Sequence, residues 1–295
     1  MSHLAIEQNT LRAFIANAQF DQETILGRDS AWPRITVVTP SYNQGRFLEQ
    51  TILSVLNQNY PNLEYIVLDG GSTDNSIDVI RGYEKYLSYW ESKPDGGQAA
   101  AIARGFGEAT GDILAYLNSD DVYMPNTLNT VAKYFSLNRT VQWIYGDCMI
   151  IDSQNVVIRR MYPPRFHAKI FLYENQIVPQ QSAFWRSAFY QRVGGIAPGL
   201  HFCMDYDLLM KFVQAGEMPA RIGDVLAGFR IHGDAKSSRL KVVQQEEYSR
   251  IFKGVTGRSF TPIDHLTSAW CRLKRYFLSP KALLEAIKVR LSGAN

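Results

Sequence analysis

From Ile35 to Asp121 the chain alternates four times between a short apolar run and a helix-forming stretch. The runs are Ile35–Thr39, Glu64–Leu68, Tyr89-Trp90 and Asp112–Leu117, each rich in β-branched or aromatic residues and bounded by polar or turn residues. Between them, Phe47, Leu48, Ile52, Val55 and Leu56 share one helical face. Ile77, Ile80 and Tyr83 share another, and residues 98–108 are rich in alanine. Strands separated by helices pair in parallel through right-handed crossovers. The expected fold class is therefore α/β, with a mainly parallel central sheet flanked by helices. No period repeats along the chain, which excludes a solenoid.

Three of the runs empty into a polar cluster: Pro40-Ser41-Tyr42-Asn43, Asp69–Asp74, and Asn118-Ser119-Asp120-Asp121. In an open parallel sheet the loops beyond the carboxyl ends of the strands meet in one crevice. The third cluster is the most demanding. Two adjacent acids at the end of a buried strand repel each other near a low-dielectric interior. A divalent cation would relieve that repulsion. The bland alternative is a solvated Asp-Asp turn capping the helix that Pro125 opens.

The 295 residues, 46% hydrophobic, suffice for one large domain or two small ones. A net charge of +3 gives no strong pull toward nucleic acid, and none is expected as a partner. Cys148, Cys203 and Cys271 are far apart and form no disulfide framework, which favours a reducing compartment. The sequon Asn138-Arg139-Thr140 is discounted for the same reason. No apolar run reaches the roughly 18 residues a membrane span needs, and the N-terminus lacks a signal-peptide core. A cytoplasmic location is expected.

Residues 1–33 read as an accessory helical segment on the outside of the main domain, with a stripe of Leu4, Leu11, Phe14 and Ile15. Residues 34–235 read as the main domain, in two halves, 34–124 and 125–235. In the latter, strands are expected at 141–147, 149–151, 156–158 and briefly at 229–231, with helices around 168–175 and from Asp205 to Gly216. Residues 236–295 read as a C-terminal helical extension.

Several chemistries drop out. Gly105, Gly107 and Gly111 miss the dinucleotide-binding spacing and precede a strand instead of following the first one. There is no GxxxxGK[ST] and no GxSxG. A nucleotide held through a metal-bound diphosphate remains, which is ordinary chemistry for Mg²⁺ or Mn²⁺ on Asp. Five stretches then stand in order: Thr39–Asn43, Asp69–Asp74, Asp95–Gln98, Gly111–Asp121 and Met204–Leu208. Together, over roughly residues 34–235, they resemble family 2 glycosyltransferases of the GT-A fold.

That resemblance implies inverting transfer of a sugar from a nucleoside-diphosphate donor, UDP by default, to an acceptor hydroxyl on a glycan or lipid-linked glycan. Surface polysaccharide or glycolipid synthesis would be the setting. It makes residues 34–124 a nucleotide-binding half, 125–235 an acceptor-binding half and Asp205 the catalytic base, in preference to a mere helix cap, with Met204 standing where many relatives have Glu. It implies Asp120, Asp121 and His232 around the metal, with Asn118 replacing the first acid of the family's D-x-D. Substrate contacts would come from Thr39, Pro40, Tyr42, Asn43, Asp69, Gly71, Ser72, Gly97, Gln98, Asn118, Ser119, Gln181 and His232. Asp74 reads as a helix cap, and Trp185 stands in the acceptor region or the core. Arg104 falls near the position of a diphosphate-binding Lys, or is simply an exposed helix Arg.

Two rivals stand beside this reading. A nucleotidyltransferase would need a Gly-rich basic loop after the first strand, which Pro40–Asn43 lacks; a nucleotide-sugar binding module would have lost its base. Finally, the tail interleaves Arg272, Lys274, Arg275, Lys281, Lys288 and Arg290 with Trp270, Tyr276, Phe277, Leu283, Leu284 and Ile287, against Glu285 alone. Such a basic amphipathic surface would attach peripherally to anionic lipid at the inner face of the plasma membrane. A solvated helix packed on the domain is the alternative.

Overall fold

The computed structural model describes residues 3–174, 178–233, 241–279 and 283–284. Asp234, Lys281, Glu285, Ile287, Lys288 and Arg290 lie outside them, as do the side chains of Leu4 and Tyr276. The first strands are β1 (Ile35–Ser41), β2 (Leu63–Asp69), β3 (Tyr89–Ser92) and β4 (Ile113–Tyr116). They alternate with α3 (Gly45–Leu56), α4 (Ser76–Tyr83) and α5 (Gln98–Glu108), preceded by α1 (His3–Ala16) and α2 (Gln22–Gly27). They pair in parallel in the spatial order β3-β2-β1-β4.

Strand β1 runs two residues further than expected, through Pro40 and Ser41, which pair with Leu68 and Asp69. Proline is tolerated there because β4 ends opposite Val38, so the side of the ladder that Pro40 cannot serve is already open.

The second half adds β5 (Val122–Tyr123), α6 (Thr127–Leu137), β6 (Trp143–Asp152), β7 (Val157–Met161), α7 (Ala168–Tyr173), β8 (Ala183–Arg186), α8 (Ser187–Arg192), α9 (Met204–Gln214) and β9 (Ala220–Ile231). Helices α10 (Lys241–Thr256) and α11 (Pro262–Leu278) follow. The sheet continues from β4 through β8, β6 and β9 to β5, with β7 beside β6. Pairing here is mixed: β8 is antiparallel to β4 and β6, while β9 is parallel to β6.

Where two strands were expected at 141–147 and 149–151, one ten-residue strand runs through Gly146. A Cβ at Gly146 would lie 2.6 Å from Leu226 Cγ, so the close approach of β9 requires glycine. The short strand expected at 229–231 is the end of a twelve-residue one. The two-residue β5 and the single-turn α8 carry too little periodicity to be read from sequence.

Helices cover both faces of the sheet. On one, Leu48, Ile52 and Val55 of α3 and Leu128, Val131 and Phe135 of α6 pack on Val37, Tyr65 and Val67. On the other, Ile102 and Phe106 of α5 and Leu208, Leu209 and Phe212 of α9 pack on Val38, Ile66, Leu114 and Tyr116. The N-terminal segment does more than lie outside. Leu11 and Ile15 close a third cluster with Val122, Met124, Met149 and Ile151. Among the described residues no helix is long and apolar enough to cross a membrane.

Candidate active site

Strand β4 ends in a tight turn: Asp121 N–H donates to the Asn118 carbonyl at 3.0 Å, and Thr51 Oγ1 donates to the carbonyls of Ser119 and Asp121. This turn sends the two acids apart. Asp121 is buried, with Oδ1 accepting from Arg230 N–H at 2.9 Å and Oδ2 facing Asn118 Nδ2 at 3.4 Å. Burial, then the neighbouring Asp120 charge, pushes its carboxyl well above the usual range. Its oxygens thus meet the backbone of β9 on one side and the Asn118 amide on the other. Asp120 keeps about a quarter of its side chain exposed, and its Oδ2 meets His232 Nε2 at 3.0 Å.

The tautomer of His232 follows from its neighbours. Arg46 can only donate, and its Nη2 lies 2.9 Å from His232 Nδ1. Nδ1 accepts, so Nε2 carries the proton and donates to Asp120. A metal-bound imidazole normally donates its other N–H to an acceptor. Here that second nitrogen faces a guanidinium, and His232 orients Asp120, the residue it was expected to stand beside.

Beneath this pair lies Arg230, fully buried, its Nε donating to the Asp120 carbonyl at 2.7 Å and its Nη2 to Gln50 Oε1 at 3.0 Å. Its guanidinium lies 4.6 Å from the Phe47 ring, with Arg46 at 4.3 Å and the His232 ring at 4.8 Å from the same ring. Burial lowers the Arg230 pKa, and the charges of Asp121 and Asp120 work against that shift.

The loops after β1 and β2 are built by their own side chains. Asp69 is buried, and its carboxylate accepts from Gly71 N–H, Ser72 N–H, Ser72 Oγ and Ser92 Oγ at 2.5–3.1 Å. Three of those bonds fall on Oδ2 and one on Oδ1, so Asp69 shapes the loop and keeps an acceptor site on Oδ1. Gly71 turns at φ +83°, with the Pro94 nitrogen 3.1 Å from where a Cβ would sit. Asn43 N–H donates to Ser72 Oγ at 2.8 Å, and Asn43 Oδ1 accepts Thr73 N–H at 2.8 Å. Asp74 caps more than one helix: it accepts Gly45 N–H at the start of α3 and Ser76 N–H at the start of α4.

Above this frame Tyr42 is 62% exposed beside Gly70, free to face a planar ligand. Thr39 is buried against the Tyr65 hydroxyl at 3.1 Å, and Pro40 is buried within β1, so both support the strand without facing the crevice. Gly97, at φ +96°, starts α5, and Gln98 Nε2 then donates to Asn118 Oδ1 at 2.6 Å. Ser119 is buried and offers its carbonyl to Thr51. Arg104 pairs with Glu91 at 2.7 Å, on a carboxylate that Lys93 shares.

Asp205 stands in the first turn of α9, its Oδ1 accepting Tyr206 N–H at 2.8 Å. Tyr116, the last residue of β4, links it to the acid pair. Burial raises the Tyr116 hydroxyl well above its usual range, and the charges of Asp205 and Asp121 raise it further, so both acids lie near one phenol. The loop leading into α9 is held from afar. Glu247 of α10, itself buried, accepts the N–H groups of His201, Phe202 and Cys203 at 2.6, 2.9 and 2.8 Å. Burial alone would raise the Glu247 pKa; those bonds hold it below the usual carboxylate range. Gln181 is buried with Nε2 3.3 Å from Cys148 Sγ, and Trp185 packs among Phe106, Tyr116, Tyr190 and Phe212. Both are buried, Trp185 in the core as one of its two readings had it. Gln180 instead lies at the strand end, donating to the Tyr116 carbonyl at 2.8 Å.

The profile of glycosyl transferase family 2 matches residues 36–193. The chain belongs to that family. An uncharacterised glycosyltransferase of Mycobacterium tuberculosis is 32% identical over 203 residues, 68% of this chain and 76% of that protein. The first 349 residues of Staphylococcus aureus TarS, solved with UDP-GlcNAc, superpose with a TM-score of 0.62 at 17% identity, covering 83% of this chain and 72% of that one. The mannosyltransferase PcManGT of Pyrobaculum calidifontis, solved with GDP-Man and Mn²⁺, gives 0.59 at 17% identity over 99% of this chain and 84% of its own. At such identities these two show the fold alone: GT-A.

In this glycosyltransferase the sequence reading missed Arg46, Phe47, Arg230 and Glu247. Arg230 left a signal, a lone charge inside the apolar run Phe229–Ile231. Glu247 left none, because its three partners lie more than forty positions away.

Proposed function

We propose that the chain transfers a sugar, with inversion, from a nucleoside-diphosphate donor to an acceptor hydroxyl, with Asp205 as the general base. UDP is the default nucleotide, and a glycan or lipid-linked glycan of a surface polysaccharide is the acceptor class. The observation that supports the reading is Asp205 in the first turn of α9, a helix packed on Val38, Leu114 and Tyr116 of the strands whose ends bear the donor loops. A base on α9 then faces the donor loops across the strand end, as attack opposite the leaving group requires.

The acceptor hydroxyl passes its proton to the Asp205 carboxylate as its oxygen bonds to the anomeric carbon. The bond from that carbon to the diphosphate oxygen breaks, and its electron pair leaves with the nucleoside diphosphate. Asp120, oriented by His232 and partly open, fits a divalent cation, Mn²⁺ or Mg²⁺, that is shared mainly with phosphate oxygens and water. When bound, the ion would neutralise charge growing on the leaving diphosphate. Asn118 adds no charge, and among the described residues no cluster of three metal-ligating side chains stands ready. Affinity for metal alone is therefore expected to be low and to rise with nucleotide.

The test is nucleotide release from a panel of UDP-, GDP- and dTDP-sugars, with and without chelator. Release from one nucleotide class, lost on chelation and restored by Mn²⁺ or Mg²⁺, is the expected result. Consumption of none of them would overturn the donor assignment.

A further inference from the structure

Helix α11 is turned inside out. Its polar side faces α7: buried Asp264 accepts the Tyr173 hydroxyl at 2.7 Å, Ser268 Oγ donates to Glu174 at 3.0 Å, and Cys271 is fully buried. Its large apolar residues point away. Ile263 and Leu266 are each 72% exposed, Trp270 52%, Leu273 59% and Phe277 74%. Their spacing of three or four residues aligns them in one stripe along the whole helix. Single exposed apolar residues are ordinary on a protein surface; a row of five marks an interaction face.

The borders of the stripe identify the partner. At 100° per residue, Lys274 falls on one border of the stripe, while Arg272 lies toward the inner side. Lys274 Nζ lies 4.9 Å from the Trp270 ring. Glu174 shares Arg272 and Arg275 at the inner side, at 3.3 and 3.9 Å. The acid within α11, Asp264, is buried. From Arg272 to the last residue the sequence carries six basic residues against one acid, Glu285. An apolar stripe with a tryptophan at its middle and Lys274 on its border, in a basic stretch of sequence, matches an anionic bilayer: the stripe enters the acyl boundary and the lysine reaches the lipid phosphates.

We propose that α11 is an interfacial helix that docks the enzyme on an anionic lipid surface through Ile263, Leu266, Trp270, Leu273 and Phe277. The docking is independent of the donor chemistry.

Flotation of the full chain with vesicles tests it. The wild type is expected to float with phosphatidylcholine vesicles containing phosphatidylglycerol, to stay at the bottom with phosphatidylcholine alone, and to be released as salt rises. The double variant Trp270→Ser/Phe277→Ser alters exposed positions, so its thermal melt and lipid-free donor turnover are expected to stay unchanged while vesicle binding falls at least about tenfold. Lys274→Gln is expected to weaken binding about fivefold. Wild-type protein remaining at the bottom with both vesicle types would overturn the proposal, as would a double variant that binds like wild type. So would a wild-type dimer in solution, dissolved by the double variant, with no flotation, since the stripe would then belong to a second copy.

Discussion

The donor loops and the entrance to α9 hold their residues in place by opposite means. After β1 and β2, each loop is tied by side chains within the loops themselves: Asp69 to residues 71, 72 and 92, Asn43 to 72 and 73, Asp74 to 45 and 76. Short polar side chains bonding to nearby backbone make such loops self-supporting. The loop before Asp205 instead borrows Glu247 from a helix beyond the family-matched region. The donor edge is thus a property of the α/β core. The Asp205 end of α9 depends on the C-terminal extension.

Four perturbations sharpen or break this contrast. The largest effect is expected from Arg230→Met, which removes the buried cation under the acid pair and leaves Gln50 and the Asp120 carbonyl unpaired. Denaturant unfolding should show a loss of about 3–4 kcal/mol. Next, Glu247→Ala should lower kcat about a hundredfold through misplacement of Asp205, with donor KM little changed. Glu247→Gln, which keeps an acceptor oxygen, should recover part of that loss. A rise in donor KM with kcat intact would erase the distinction between the two regions.

Acid should come third. Buried Glu64 is subject to desolvation that raises its pKa, yet bonds from Thr36 and Thr110 and the Arg34 charge hold it below the usual range. Its contribution is full above the unfolded glutamate pKa and is lost as pH falls through the lower folded value. Thermal melts should therefore drop below about pH 4.5, and Glu64→Gln should flatten that limb. The smallest effect belongs to Arg104→Ala. A partly exposed pair with Glu91 is worth up to about 1 kcal/mol, and neither donor KM nor kcat should move.

The parallel half was legible because its signals are local. Apolar runs, helical stripes and turn residues sit within a few positions of one another, and Gly71, Asn43 and Asp74 mark the loops they bend. The mixed half hid its long strands, because β6 passes through Gly146 and β9 carries Gly223, Asp224 and Gly228 inside it. Sequence cannot say which way a side chain points, so the bonds that Asp69, Asp121 and Gln181 make within the protein were not legible in it. His232 kept its place beside Asp120, yet only the remote Arg46 reveals which nitrogen carries the proton. Partners as distant as Glu247 leave no pattern at all.

The most direct test sets two variants side by side, Asp205→Asn and Asp120→Asn, with donor binding measured by calorimetry and turnover by nucleotide release. The account predicts that Asp205→Asn binds donor like wild type but loses turnover about 10²–10⁴-fold, whereas Asp120→Asn binds donor and metal more weakly. Wild-type turnover from Asp205→Asn would contradict it.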